Sequence, residues 1–166
     1  MSSGPNKYIL VVVDVRSTHN VGSLFRTCDG LGVDLCLVGI TPRPGHDNDS
    51  RLPHVVKKAE QAIAKTALGA ERTVRWSYAE NLVDAMKLLR DNGFNIMALE
   101  QSSESQNIRR YESDKPVALV VGREVEGLSN DEIAMCDGCL EIPMVGLKES
   151  FNVSVAAGIG LYQLTS

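Results

Sequence analysis

The sequence predicts an α/β protein with a mostly parallel sheet and helices on both faces. Apolar runs of strand length alternate with segments of helical periodicity along the whole chain, and several of these runs contain no polar residue. A strand that is apolar at every position is buried on both of its faces, which is typical of parallel sheets between two helical layers. Such a sheet binds its ligands beyond the carboxyl ends of the strands.

The first half of the chain predicts three strands, three helices and a long loop. β-rich runs predict the strands, apolar stripes at helical spacing predict the helices, and a segment rich in Pro, Gly, Asp and Asn predicts the loop. We expect Asn20 to cap the first helix, Gly32 to end it, and Ser77 with Glu80 to form a capping box on the third. In order, the predicted elements are a strand at 8–13, a helix at 20–32, a strand at 35–38, a loop at 41–52, a helix at 54–68, a strand at 73–76 and a helix from 77 to about 92.

The second half continues the alternation. Ser129 and Glu132 predict another capping box, and Ser150 is expected near the start of the last helix. The predicted elements are strands at 95–99 and 117–121 around a polar loop, a helix after residue 129, a short strand at 140–142 and a helix from 150 nearly to 166.

Composition indicates one domain, residues 1–166. Hydrophobic residues make up 43% of the chain and charged residues 23%, which argues against disorder. The longest apolar run is too short to span a bilayer and no secretion signal is recognised, so we expect a soluble cytoplasmic or organellar-matrix protein with residues 1–7 as a loose tail. The formal net charge of −4 argues mildly against extensive nucleic-acid binding, but it allows one local basic face.

The four cysteines do not predict a metal site. Cys136 and Cys139 have the spacing of half a zinc site or of a redox pair, whereas Cys28 and Cys36 lack that spacing. We therefore interpret the pair as small hydrophobic residues that flank a turn.

A first polar segment that could carry chemistry lies at 20–27. Arg26 falls on the helix side opposite the apolar stripe, beside Gly22 and Ser23, which would leave room for a large ligand. A solvated surface arginine is the plain alternative for this residue taken alone.

Two further segments follow predicted strands. Glu124 stands between Gly122 and Gly127 after the strand at 117–121, where a carboxylate would repel the pyrophosphate of a dinucleotide. Ser150 and Asn152 follow a strand that breaks at Pro143. A glycine turn and a helix cap are the plain alternatives.

Taken together, the three segments resemble the motifs of the SpoU/TrmH family of RNA methyltransferases, within the SPOUT superfamily. The motifs are Asn-x-Gly-x-x-x-Arg from Asn20, Gly-x-Glu-x-x-Gly-Leu from Gly122, and Ile-Pro-Met followed by Ser-Phe-Asn-Val-Ser from Ser150. The resemblance covers the chain from Tyr8 to about Tyr162.

The resemblance implies a five- or six-stranded parallel sheet with a C-terminal trefoil knot and a homodimer whose active sites lie near the interface. Gly158 and Gly160 would permit close approach of helices. The cofactor would be S-adenosylmethionine, bound by Leu99, Gly122, Ile142 and Phe151.

The implied reaction is attack of a ribose 2′-hydroxyl on the cofactor's methyl group. Arg26 would be the central catalytic residue, either as a base or as a stabiliser of the developing oxyanion. The second role asks less of a guanidinium, which is very hard to deprotonate. Asn20 would help to set the Arg26 helix, Glu124 would orient Arg26 or a neighbouring group, and Ser150 and Asn152 would position ribose, phosphate or cofactor.

The expected partner is RNA. We favour tRNA as the substrate, and ribosomal RNA stays open. Larger relatives carry an appended RNA-binding domain, so here we expect the catalytic domain or its dimer to hold the RNA. The candidate basic patch consists of Arg43, His46, Arg51, His54, Lys57 and Lys58, with Arg109 and Arg110 as a second candidate.

Three alternatives stay open. The chain could be a catalytically silent RNA-binding protein of the same fold, a nucleotide-dependent oxidoreductase, or a methyltransferase that acts on a base nitrogen. The complete set of motif residues disfavours the first, and the absence of a dinucleotide fingerprint disfavours the second. Branches that methylate base nitrogens carry different motifs, which disfavours the third.

Overall fold

A parallel sheet forms the centre of the molecule in the computed structural model, which describes residues 6–166. Within these residues the sheet has seven strands in the order β3-β2-β1-β6-β4-β7-β5, and every neighbouring pair is parallel. The strands are β1 Tyr8–Val13, β2 Asp34–Val38, β3 Trp76–Ala79, β4 Asn95–Leu99, β5 Gln106–Asn107, β6 Val117–Val121 and β7 Gly138–Glu141. The predicted α/β class is confirmed, with more strands than the five or six expected. Of the tail predicted at 1–7, residues 1–5 lie outside the described part.

Helices cover both faces of this sheet, as predicted. Alternate residues of β1 point to opposite sides: Leu10 and Val12 join the core with α1, α2 and α6, while Val11 and Val13 join the core with α4 and α5. No helix within residues 6–166 combines the length and apolarity needed to cross a membrane. The helices are α1 Thr18–Leu31, α2 Pro53–Ala67, α3 Ala70–Thr73, α4 Leu82–Asp91, α5 Asn130–Met135 and α6 Val153–Thr165, with a 3₁₀ turn at Ile108–Arg110.

The region around β3 differs from the prediction. Residues 70–73 form a short helix, and the strand lies at Trp76–Ala79 instead of 73–76. The capping box expected from Ser77 to Glu80 is wrong, because Ser77 lies in the sheet opposite Cys36. Asn81 caps α4 instead, where its side chain accepts a hydrogen bond from the Asp84 amide at 2.9 Å.

Helix starts also differ where two capping residues compete. Ser17 caps α1 and accepts a hydrogen bond from the Asn20 amide, so the predicted cap Asn20 lies inside the helix. Asn152, and not Ser150, caps α6. The capping box at Ser129 is confirmed.

The helix ends and the last strand show smaller differences. Gly32 ends α1 in the left-handed conformation, as predicted. Leu68 ends α2 in that conformation with φ of 52°, one residue before the predicted stop at Gly69. The last strand ends at residue 141, so Ile142 follows it.

The strand order determines where loops converge. β1, β6, β4 and β7 are consecutive neighbours in the sheet and run in one direction, so their carboxyl ends share one edge. Four loops, at 14–17, 122–129, 100–105 and 142–152, leave that edge together, which is where a sheet of this class binds ligands.

Candidate active site

A cavity of about 280 Å³ opens at this edge of the sheet. Its lining comes from the ends of β4 and β6, the loops that follow them, the loop after β7 and the first turn of α6. All four residues predicted to bind a cofactor line it: Leu99, Gly122, Ile142 and Phe151. The structure thus brings together residues that are up to 52 positions apart in the chain.

The loop after β6 forms one wall of the cavity and turns back on itself. The Gly127 amide donates to the Arg123 carbonyl at 3.1 Å, and the Arg123 amide donates to the Gly127 carbonyl at 3.3 Å. A Cβ on Gly122 would lie 2.5 Å from the Gly127 carbonyl carbon, and Gly127 has φ of 65°. Both glycines are therefore required by the turn itself.

The Glu124 carboxylate binds the start of α1. Its Oε1 accepts hydrogen bonds from the Ser17 amide at 2.8 Å, the Arg16 amide at 3.1 Å and Asn20 Nδ2 at 3.3 Å. Burial by itself would raise the pKa of Glu124, but the hydrogen bonds from Ser17 and Arg16 hold this pKa below its ordinary value. Negative charge at a helix N-terminus also stabilises that helix.

Asn20 links Glu124 to the last helix. It is only 7% exposed. Its Oδ1 accepts a hydrogen bond from Asn152 Nδ2 at 3.3 Å. Asn152 Oδ1 in turn accepts from the Ser154 amide at 2.9 Å. One polar chain therefore joins all three sequence motifs, and Asn20 and Glu124 both hold the helix that carries Arg26.

Arg26 lies apart from this chain of hydrogen bonds. It is exposed on α1, it does not line the cavity, and its side chain makes no hydrogen bond or ion pair with the residues described here. Of the two expectations for Glu124, that it orients Arg26 or a neighbouring group, the contacts in this chain fit the second, because Glu124 binds the start of the helix that carries Arg26.

The open space expected around Gly22 is also absent. A Cβ at Gly22 would lie 2.0 Å from Thr66 Oγ1 and 2.4 Å from the Ile63 carbonyl oxygen. This glycine therefore serves close packing of α1 against α2, and it leaves no room there for a ligand.

Ser150 meets the expectation that it lies at the site. It is exposed, lines the cavity, and has no hydrogen-bond partner within residues 6–166. Its hydroxyl is available to a ligand.

Sequence reasoning missed Arg123. Its guanidinium lies between two carboxylates, with 2.6 Å to Asp14 Oδ2 and 3.0 Å to each Glu132 oxygen. The Arg123 guanidinium holds the pKa of Glu132 below its ordinary value. Asp14 is 109 positions away in the chain, so only the adjacency of β1 and β6 could have indicated this pairing.

The predicted basic patch divides into two kinds of residue. Arg51 is committed to the loop: it forms an ion pair with Asp49 at 2.5 Å and donates to the carbonyls of Arg43 and Pro44. Arg43 stacks its guanidinium 3.5 Å above the Tyr78 ring, with its Nε buried and unpaired among the described residues.

The other members of the two basic candidates are exposed. They are His46, His54, Lys57 and Lys58 on the loop and α2, and Arg109 and Arg110 on the 3₁₀ turn. His46 Nε2 lies 3.8 Å from Asp49 Oδ2. The other five side chains have no ion pair among the described residues, so they can contact a phosphate backbone without first breaking one.

The cysteine pair packs at the end of α5 and in β7. The Cys136 thiol donates to the Glu132 carbonyl and the Cys139 thiol donates to the Glu100 carbonyl. Burial raises the pKa of Cys136 to about 12 and also raises that of Cys139, so both are held as thiols. Residues 6–166 contain no group of three or more His, Cys, Asp or Glu side chains placed to hold a metal ion.

Comparison with known proteins identifies close relatives. The model of the SpoU rRNA methylase family matches residues 7–162. The tRNA (guanosine(18)-2′-O)-methyltransferase of Aquifex aeolicus is 34% identical over 158 residues, covering 95% of this chain and 68% of that protein.

Two solved structures show the same fold. The TrmH/SpoU tRNA modifying enzyme of A. aeolicus has a TM-score of 0.76 at 30% identity, covering 97% of this chain and 75% of that one. An AdoMet-bound rRNA methyltransferase from Sinorhizobium meliloti has a TM-score of 0.78 at 23% identity, and this chain spans 57% of its length.

We expect Glu124→Gln to lower the free energy of unfolding at neutral pH by about 1–2 kcal/mol, as for loss of a helix N-cap. Because the pKa of Glu124 is held below its ordinary value in the folded state, its contribution is fully present at neutral pH and is lost as the pH falls through the folded pKa. Urea unfolding between pH 3 and 7 should show that the free energies of unfolding of wild type and Glu124→Gln become more similar as the pH falls. Glu126→Gln, at an exposed residue of the same loop, should match wild type throughout; a constant gap for Glu124→Gln would contradict the assignment.

Proposed function

The chain belongs to the SpoU rRNA methylase family, and on that premise we propose that it is an S-adenosylmethionine-dependent enzyme that methylates a ribose 2′-hydroxyl of RNA. The observation that carries the proposal is the convergence of all three motifs on one edge of the sheet: the second and third motifs line the 280 Å³ cavity, and Asn20 of the first binds a residue of each. We further propose that residues 1–166 act as one catalytic domain.

The cavity suits the cofactor chemically. Leu99, Ile142 and Phe151 supply an apolar surface for an adenine ring, and the turn at 122–128 supplies main-chain groups for its polar edge. S-Adenosylmethionine would contribute an electrophilic methyl group on a sulfonium. Ser150 and Asn152, at the start of α6, would position the ribose or the cofactor.

Arg26 would stabilise the oxyanion that develops on the ribose oxygen, or grip the adjacent phosphate. Its guanidinium has no internal partner among the described residues, so it is free to bind an anion. Because Arg26 does not line the cavity of its own chain, a second copy of the protein would have to bring the two together.

A homodimer through α6 would supply that second copy. The outer face of α6 is apolar, with Val155, Ile159 and Tyr162 exposed by 48%, 39% and 67%. α6 packs beside α1: a Cβ on Gly158 would lie 3.8 Å from Thr27, the residue after Arg26. A partner that covered α6 would therefore approach Arg26 as well.

We propose tRNA as the substrate, because the related A. aeolicus enzyme is named for a tRNA guanosine. The first alternative is the same reaction on ribosomal RNA. The second alternative is that the protein binds RNA without catalysis. Transfer of labelled methyl groups to separated tRNA and ribosomal RNA pools distinguishes the three. We propose a cytoplasmic location, which fractionation of the source cells tests.

We infer that the C-terminal segments form the trefoil knot that the family resemblance implies. The chain completes β4, β5 and β6 before β7 inserts between β4 and β5, and α6 then packs on the face that carries Ile108 of the 3₁₀ turn. An experimental structure would test this inference. A backbone path that could be drawn out into a straight line by its two ends would contradict the knot.

Arg26→Ala should retain cofactor binding and lose methyl transfer by roughly 100-fold or more, as for loss of one oxyanion donor. Calorimetry with S-adenosylhomocysteine measures the first quantity, and labelled methyl transfer to tRNA measures the second. Lys87→Ala, an exposed cation on α4, is the control and should be unchanged. Turnover like wild type in Arg26→Ala would remove this arginine from the mechanism.

Charge reversal at Lys57 and Lys58 should weaken RNA binding and reduce the slope of log affinity against log salt by about two, one per lost phosphate contact. The measurement is a filter-binding titration over a range of salt concentrations. The matched control, Lys87→Glu with Lys115→Glu, makes the same change of net charge at other exposed sites. Equal slopes in the two double variants would exclude the α2 patch.

Tyr162→Glu should convert the dimer to a monomer, because it puts a charge on the apolar face of α6 that the partner would bury. Sedimentation velocity measures the change. Val83→Glu, which charges a 59%-exposed apolar residue of α4, is the control. A wild-type protein that sediments as a monomer at all concentrations would refute the dimer.

A further inference from the structure

Glu100, the first residue after β4, joins three neighbouring elements of the sheet edge. Its amide donates to the Leu140 carbonyl at 2.9 Å, and its carbonyl accepts from the Cys139 thiol at 3.3 Å, so its backbone is held against β7. Its side chain reaches the other way, where Oε2 accepts from the Leu128 amide at 3.1 Å. Glu100 thus connects β7 to the loop after β6.

The loop after β6 is shaped around this carboxylate. A Cβ at Gly127 would lie 2.1 Å from Glu100 Oε2, so the glycine leaves the space that the carboxylate occupies. The other oxygen, Oε1, accepts from the Gln101 amide at 3.0 Å. With each oxygen bound to a main-chain amide, the side chain is fixed in one orientation.

The next residue makes the equivalent link to the opposite wall. Gln101 Nε2 donates to the Glu149 carbonyl at 2.7 Å, directly before Ser150. Glu100 and Gln101 are consecutive, and both line the cavity. One dipeptide at the end of β4 therefore ties the loops on both sides of the cavity.

We propose that Glu100 is a positioning residue for the cofactor: it holds the turn at 122–128 at the distance from β4 that the cofactor requires, while Gln101 holds the loop before Ser150. The proposal rests on the proposed function, because it assumes that this cavity binds S-adenosylmethionine. Glu100 acts through the turn; neither Arg26 nor the Glu124 hydrogen-bond chain contacts it within the described residues.

The test is Glu100→Gln, which keeps the shape of the side chain. It replaces one carboxylate oxygen, which accepts from a main-chain N–H, with an NH₂ group, so that two donors face each other. We expect the KM for S-adenosylmethionine and the Kd for S-adenosylhomocysteine to rise roughly tenfold, as for loss of one hydrogen bond to a charged group. The kcat at saturating cofactor and the KM for RNA should stay within about twofold. A general loss of folded protein would instead lower kcat with both KM values unchanged.

Glu104→Gln is the matched control, because it makes the same charge change at an exposed residue outside the cavity, four positions along the chain. It should bind and turn over like wild type. If Glu100→Gln does not fold, Gln101→Ala at the exposed neighbour carries the test, with an expected rise of several-fold in the same Kd.

The outcomes separate the two proposals. Wild type that binds S-adenosylhomocysteine while Glu100→Gln and Gln101→Ala bind it equally well would overturn the role of Glu100 and leave the function standing. Wild type that binds neither S-adenosylmethionine nor S-adenosylhomocysteine would overturn both. A tenfold rise in Kd with unchanged kcat supports the positioning role.

Discussion

The site depends on the Glu124 carboxylate. This side chain accepts hydrogen bonds from two main-chain amides at the start of α1 and from the side-chain amide of Asn20. Asn20 in turn accepts a hydrogen bond from Asn152 at the start of α6. These partners are 104 to 132 positions apart in the chain. The parallel sheet alone places strand ends at one edge; Glu124 determines how the helices that leave that edge are oriented.

The other charged residues of the edge answer the same physical need. Each strand that ends there leaves main-chain groups without a ladder partner, and a buried unpaired amide is costly. Glu100 accepts hydrogen bonds from two main-chain amides in the loops at this edge, and Glu124 accepts from two others. Arg123 crosslinks β1, β6 and α5 through Asp14 and Glu132. The edge is therefore held by carboxylates bound to main-chain amides and by the ion pairs of Arg123, and both polar and apolar residues line the cavity.

Sequence patterns predicted what local chemistry determines. β1, β4 and β6 match their predicted bounds because their apolar runs end clearly, at Asp14, Glu100 and Gly122. The predicted strand at 73–76 is wrong because the strand Trp76–Ala79 is short and contains Ser77. The predicted cap Asn20 is wrong because Ser17 takes that role, while tertiary contacts with Glu124 and Asn152 engage the Asn20 side chain. The family resemblance predicted the four cavity residues. The contacts of Glu100 and Arg123 could not be predicted in this way, because they depend on which strands are neighbours, and no local pattern encodes that.

The distribution of ion pairs bears on how a protein with a negative net charge can bind RNA. Of its arginines, Arg51 pairs with Asp49, and Arg123 lies between Asp14 and Glu132, so these two guanidiniums are engaged within the fold. The cations that remain exposed without an ion pair among the described residues include Arg26, Lys57 and Lys58. Ion pairs cancel within the formal charge of −4, so this sum does not show where the unpaired charges lie. The charge that an approaching phosphate meets is therefore set by which cations lack an internal partner, and Arg26 is one of them.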